Sequence, residues 1–183
     1  MKYLKKGISF LRSPGVSFEN EKETKLTEAF KYMLVLALVT TILGSLVTTM
    51  SMGFLTGMIP TYAEGLAAPM MFVISLVLGY LGLTIGSIIW GLWLHLWAYV
   101  VGARNGLEQT LKAVVYGQTP PYLLGWIPLV NVFVAIWALV LHGMGIMKYQ
   151  SITVGRTALA IIIALTIPII VIGALSLTFI SIP

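Results

Sequence analysis

The chain has 183 residues, of which 58% are hydrophobic and 9% charged, with a net charge of +5 and no cysteine. A soluble domain carries about a quarter of its residues as charges, and one this short hides only ~70% of the surface its unfolded chain exposes, so a purely water-facing exterior is excluded. The missing cysteine excludes disulfides, thiolate metal ligation and a cysteine nucleophile. The positive charge does not indicate a nucleic-acid partner. Seven of the eleven basic residues (Lys2, Lys5, Lys6, Arg12, Lys22, Lys25 and Lys31) lie at the N-terminus, and the rest stand singly at the ends of apolar runs. That is a membrane-topology pattern, and its natural counter-charge is the anionic lipid headgroup.

Residues 1–29 read as a basic, amphipathic cytoplasmic lead. Tyr3, Leu4, Ile8, Phe10 and Leu11 alternate with Lys2, Lys5, Lys6 and Arg12, which predicts a short helix suited to the headgroup layer. Pro14-Gly15 stops it. A secretory signal is not expected, because charges recur to Lys31 and the first long apolar run begins only near Phe30.

Residues 30–183 read as a five-helix transmembrane domain. The first span is predicted over 30–51, since 22 helical residues reach ~33 Å and a bilayer core needs ~30 Å. Residues 52–68 contain Gly53, Gly57, Pro60 and Gly65 and read as a loop with interfacial Phe54 and Tyr62. Residues 69–101 carry no formal charge. They are assigned to one long second span, because two spans would put Arg104 and Lys112 on the wrong side. A third span over 107–124 is broken by Pro120-Pro121, whose rings each remove a donor and clash with a preceding carbonyl. The fourth is placed over 128–147 and the fifth over 157–180. All eleven Lys and Arg then fall on one side. The expected architecture is an all-α, polytopic transmembrane helical bundle with its N-terminus cytoplasmic and its C-terminus outside.

Four features are candidates for a functional role. Ser75, Gly79, Gly82 and Gly86 form a small-residue stripe suited to helix packing, continued by Trp90, Trp93 and Trp97. The indoles suit an interfacial belt, with a stacked-ligand platform as the rival reading. The broken third span reads Tyr116-Gly117-Gln118-Thr119-Pro120-Pro121-Tyr122, and its freed carbonyls need partners from Gln118, Thr119 or Asn131. Such a break is either a packed kink or part of a transport site. His95 and His142 lie in apolar runs and join Gln118 and Asn131 as a possible polar site. They are read as hydrogen-bonded, because no carboxylate lies in any span to complete a metal shell. Glu108 and Lys112, four apart, are expected to pair. The chain has no aspartate, no nucleophile motif and no phosphate or dinucleotide loop, so no catalytic residue, metal or cofactor is assigned.

Taken together, Phe10-Leu11-Arg12-Ser13-Pro14 and Phe18 before the first span, Tyr116, Gly117, Pro120 and Pro121 in the third, and Trp137-Ala138-Leu139-Val140-Leu141-His142-Gly143-Met144 in the fourth resemble the Yip family. These are the Ypt-interacting membrane proteins of five spans, and the chain is most similar to the short prokaryotic type. The resemblance covers nearly the whole chain and implies a non-enzymatic, trafficking-like role in a prokaryotic cell membrane. Apolar spans without buried charge, the small-residue stripe and the basic N-terminus point to a membrane-organising or partner-recruiting scaffold, through self-association or other membrane proteins; a small channel or transporter, resting on the Pro120-Pro121 break with Gln118, Asn131 and the two histidines, is the alternative. Eukaryotic relatives are associated with Rab-type GTPases and carry a longer tail with an Asp-Leu-Tyr-Gly-Pro motif. That motif is missing here, so Rab binding is not carried over.

Overall fold

The computed structural model describes residues 2–57 and 64–180, with side chains described for all of these except 52, 53, 55–57, 64–68 and 177–180. Among them the secondary structure is wholly helical: α1 (Lys2–Arg12), α2 (Pro14–Asn20), α3 (Leu26–Gly57), α4 (Glu64–Val100), α5 (Leu107–Gly117), α6 (Thr119–Leu124), α7 (Val130–Gln150) and α8 (Val154–Ile180). Four stretches are long and apolar enough to cross a membrane: Leu26–Ser51, Pro69–Val100, Val130–Gln150 and Val154–Ser176. Their outer faces present Leu34, Leu38, Ile85, Phe133, Ile136 and Ile169 to the surroundings. Helices are the form such segments must take in lipid, where every backbone group has to be satisfied internally.

Several boundaries differ from the sequence reading. Helix α3 begins at Leu26 and continues through Gly57, and α4 begins at Glu64, so both flanks of the loop expected over 52–68 are helical. Single glycines weaken a helix by only ~1 kcal/mol each, and no proline intervenes before Pro60. Pro60 and Tyr62 fall outside the described residues. Helix α4 is one unbroken helix of 37 residues, ~55 Å long, as charge placement required. Helices α7 and α8 start at Val130 and Val154 rather than at 128 and 157.

The segment 107–124 is not one helix but two, meeting at Gln118. Neither α5, with 11 residues, nor α6, with 6, is long enough to cross a membrane alone. Pro120 and Pro121 occupy the first turn of α6, where a missing N–H costs little because those donors have no intrahelical partner. Helix α5 is the axis of the molecule, with every residue from Thr110 to Gly117 buried, and it packs on α3, α4 and α7.

The N-terminal lead is part of the same core. Phe10 and Phe18 are fully buried in one cluster with Tyr32, Leu94, Tyr116 and Tyr149. Helix α1 packs on α2, α3 and α6, and α2 packs on α7. The pair expected between Glu108 and Lys112 does not form. Glu108 accepts the backbone N–H of Leu26 at 3.2 Å. Lys112 donates to the carbonyls of Lys22 and Thr24 at 2.6 and 2.9 Å. Both side chains anchor the turn between α2 and α3, whose free carbonyls and N–H make better partners than a side chain on the same helix. Asn105 donates to Gln150 and to the Tyr149 carbonyl, each at 2.9 Å. The polar turns at 21–26, 101–106 and 151–153 therefore gather at one end of the bundle.

Candidate functional site

The break between α5 and α6 is held together by side chains of α3 and α4. Pro120 has no N–H to offer the Tyr116 carbonyl, and the Thr119 hydroxyl donates to it instead at 2.5 Å. Since that hydroxyl spends its one proton there, Tyr32 donates to Thr119 across a 2.7 Å contact. Ser87 donates back to Leu83 at 2.6 Å, so Tyr122 donates its phenolic proton to Ser87 at 2.8 Å. The Thr40 hydroxyl sits between the carbonyls of Leu36 and Tyr122. Of the three partners expected for the freed carbonyls, Thr119 fills the role and Gln118 and Asn131 do not.

Tyr116 joins this break to the N-terminal helices. Its ring stacks on Phe10, with centroids 5.0 Å apart and planes inclined by 12°. Phe10 meets Phe18 edge-on at 5.0 Å, and Phe18 meets Tyr149 edge-on at 5.7 Å. The Tyr116 hydroxyl donates to Glu21 Oε2 at 2.9 Å. The same oxygen receives Lys6 Nζ at 2.7 Å and the Thr24 hydroxyl at 2.9 Å. Partial burial pushes the Glu21 carboxyl upward, but the Lys6, Thr24 and Tyr116 donors and the Lys6 charge outweigh it and hold it below the usual glutamate range. Glu21 was not singled out in the sequence, where it is one of several charges in a mixed run. Phe10 and Phe18 were singled out in the sequence, as part of the motif that carries the family resemblance.

Gly117 lets α7 close on the break. A β-carbon there would lie 2.3 Å from His142 Cδ2 and 2.9 Å from the His142 backbone nitrogen. His142 is buried and accepts the Trp90 indole N–H on Nδ1 at 3.3 Å. An indole only donates, so Nδ1 carries no proton and the ring N–H is on Nε2. His95 is elsewhere, bound through Nδ1 to Thr110 at 2.8 Å. Thr110 in turn accepts from Gln150 at 2.8 Å. The two histidines thus serve different helix contacts, and no group of three His, Asp or Glu among the described residues is placed to hold a metal.

Two clefts flank Pro121. One, of about 450 Å³, is lined by Trp90, Gln118, Leu139 and His142. The other, of about 500 Å³, is lined by Thr40, Thr41, Ser45, Ser75, Gly79 and Asn131. The structure therefore brings Gln118 to His142, and Asn131 to Ser75 and Gly79. Within the small-residue stripe, a β-carbon at Gly79 would lie 3.4 Å from Thr41 of α3, whereas one at Gly82 or Gly86 would meet nothing within 4 Å. The close approach to α5 is made at Gly91, against Leu111 and Val114. The tryptophans of α4 turn inward onto the core, and Trp93 donates to the Ala164 carbonyl of α8 at 2.8 Å.

Compared with known proteins, residues 8–176 match the Yip1 domain. No curated protein and no solved structure matches the chain. The matched stretch runs from α1 into α8 and takes in both the aromatic clasp and the proline break. Yip1 proteins are generally non-enzymatic trafficking proteins. This chain is an integral membrane protein with several apolar helices, and it belongs to the Yip1 family.

Proposed function

We propose that the protein is a non-enzymatic scaffold of a prokaryotic cell membrane that organises the bilayer or recruits partners, including copies of itself. In this reading the chain crosses five times, with α5 and α6 together as the third crossing. The N-terminus is cytoplasmic and the C-terminus outside. The gathering of the turns at 21–26, 101–106 and 151–153 at one end supports it, because those segments and their neighbours hold most of the basic residues. The observation that carries the functional reading is the clasp of Phe10, Glu21 and Lys6 on Tyr116. It fixes the cytoplasmic helices rigidly on the membrane core and so builds a presented surface rather than a reaction site. A Rab-type GTPase is not among the proposed partners, nor is nucleic acid.

The test is chemical cross-linking in native membranes followed by purification in mild detergent. Retention of a partner or of a second copy is expected. A species that stays monomeric and alone under every mild condition would overturn the scaffold reading.

A channel or transporter is the alternative, and one observation favours it. Gln118 and Asn131 each line a cleft beside Pro121, and neither side-chain amide has a partner among the described residues. Single cysteines at the two positions, in this cysteine-free chain, would be labelled by a membrane-impermeant thiol reagent if water reaches the break. Protection at both removes the alternative.

A further inference from the structure

Helix α1 has three adjoining stripes, each spaced i, i+4, i+7. Gly7 and Phe10 are buried in the bundle, with Tyr3 half-buried beside them on the same stripe. Leu4 and Ile8 stand outside at 42% and 46% exposure, with half-buried Leu11 completing their stripe. Lys5, Ser9 and Arg12 form the third stripe, all exposed, with Lys2 at its edge. Going round the helix, the order is protein, apolar and exposed, then basic. No acidic residue occurs before Glu19, and the one cation facing the bundle, Lys6, is already paired with Glu21. Val16 of α2 adds a further outward apolar side chain, 62% exposed.

The docking point of α1 sets its depth. Tyr3 meets Tyr32 of α3 with ring centroids 6.2 Å apart, and Lys6 lies 6.0 Å over the same ring. Tyr32 falls between Lys31, the last charge of α3, and Leu34 and Val35, which begin its exposed apolar face. There the outer side of α3 changes from charged to apolar side chains.

We infer that α1 lies in the plane of the cytoplasmic leaflet, with the Leu4–Ile8–Leu11 stripe in the acyl boundary and Lys2, Lys5 and Arg12 on anionic headgroups. An interfacial helix needs an apolar flank beside a basic one, and this helix supplies both on the side its own bundle leaves open. Each basic side chain contributes about a fivefold preference for an anionic over a neutral surface. The inference deepens the membrane-organising half of the scaffold reading and rests on it, by naming the partner surface as the protein's own leaflet. The clasp then serves to hold an embedded helix at a fixed angle to the spans.

The test uses the full chain with a single cysteine at Ile8 or at Ser9, carrying an environment-sensitive fluorophore. Each is reconstituted into vesicles of neutral phosphatidylcholine or of a phosphatidylcholine–phosphatidylglycerol mixture. Spin-labelled lipids quench from the bilayer, and iodide, present on both sides, quenches from water. At Ile8, strong lipid quenching is expected in both vesicles, since docking on the bundle sets the depth; in the mixture, trace spin-labelled phosphatidylglycerol should quench more than spin-labelled phosphatidylcholine, and 1 M salt, where charge screening acts within ~3 Å, should remove that excess. The Lys5→Gln, Arg12→Gln pair should abolish the difference between the two labelled lipids. At Ser9, iodide should quench more than lipid does. Iodide quenching at both positions with no response to spin-labelled lipid overturns the inference. Equal quenching by the two labelled lipids removes its headgroup half. Neither failure touches partner recruitment, which the cross-linking experiment tests separately.

Discussion

At the scale of single residues, the break between α5 and α6 depends on hydrogen bonds that no hydrophobicity pattern reveals. Thr119 caps the carbonyl that Pro120 leaves without a donor and also receives the Tyr32 hydroxyl. Thr119→Val keeps the shape and strands both groups in a buried place, so it should destabilise the protein by about 1–3 kcal/mol. Thr119→Ser should recover most of that, as read by thermal unfolding in detergent. Glu21 is the second such residue. Its folded carboxyl ionises more readily than that of a free glutamate, ~4.3. The stability this confers is therefore complete above that value and is lost as pH falls through the lower folded one. Unfolding midpoints measured from neutral to acid pH should drop at the acid end. Glu21→Gln should lower the neutral midpoint and flatten that acid limb. The sequence marked Thr119 as a candidate partner. It could not mark Glu21, because which carboxylate meets Tyr116 depends on how the turn after α2 lies against α5.

Among the elements, the proline pair was legible as a break but not as the start of a new helix. Local chemistry says that Pro120 and Pro121 cannot sit inside α5. Only the packing of α6 on α3 and α7 decides that the chain resumes a helix at once. Helices α1 and α2 show the same division. The amphipathic pattern of residues 1–13 was readable, but the burial of Phe10 and Phe18 in the central core needs the tertiary contacts with Tyr116 and Tyr149. Phe10→Ala should weaken this docking by about 3–5 kcal/mol, as for a large aromatic removed from a core. Trypsin should then cut faster at Lys22 and Lys25, while the helices of the spans keep their melting behaviour. Equal cleavage rates in the two proteins would mean that the clasp does not hold α1 and α2 in place. The stripe of Ser75, Gly79, Gly82 and Gly86 shows the limit of counting by threes and fours. The buried line, Thr84, Ser87, Gly91, Leu94 and Ala98, has the same spacing but lies on another face of the helix, and spacing alone does not say which face meets the bundle.

For the whole molecule, the proposed five-crossing arrangement makes a direct prediction. Single cysteines at Ala63 and Gly155 should be labelled by an impermeant reagent from opposite faces of sealed vesicles. Labelling of both from the same face would require an even number of crossings between them and would undo the proposed topology. Much of the global character was available without coordinates. An apolar chain with 9% charge must have lipid as its solvent. The unbroken second helix followed from the cost of placing basic residues on the far side, and the Yip family from the Tyr116 to Tyr122 segment with its flanking spans. These are properties of composition and of order along the chain, and both survive without knowing any contact. What only the tertiary structure decided is which groups meet. It placed Phe10, Lys6 and Glu21 on Tyr116, separated His95 from His142, sent Glu108 and Lys112 to the α2–α3 turn instead of to each other, and turned the tryptophans of α4 inward. The physical reason is that lipid makes every span apolar on all sides, so hydrophobic periodicity no longer tells the inside of the bundle from the outside. Steric fit and the pairing of a few polar groups make that choice, and both exist only once the helices are packed.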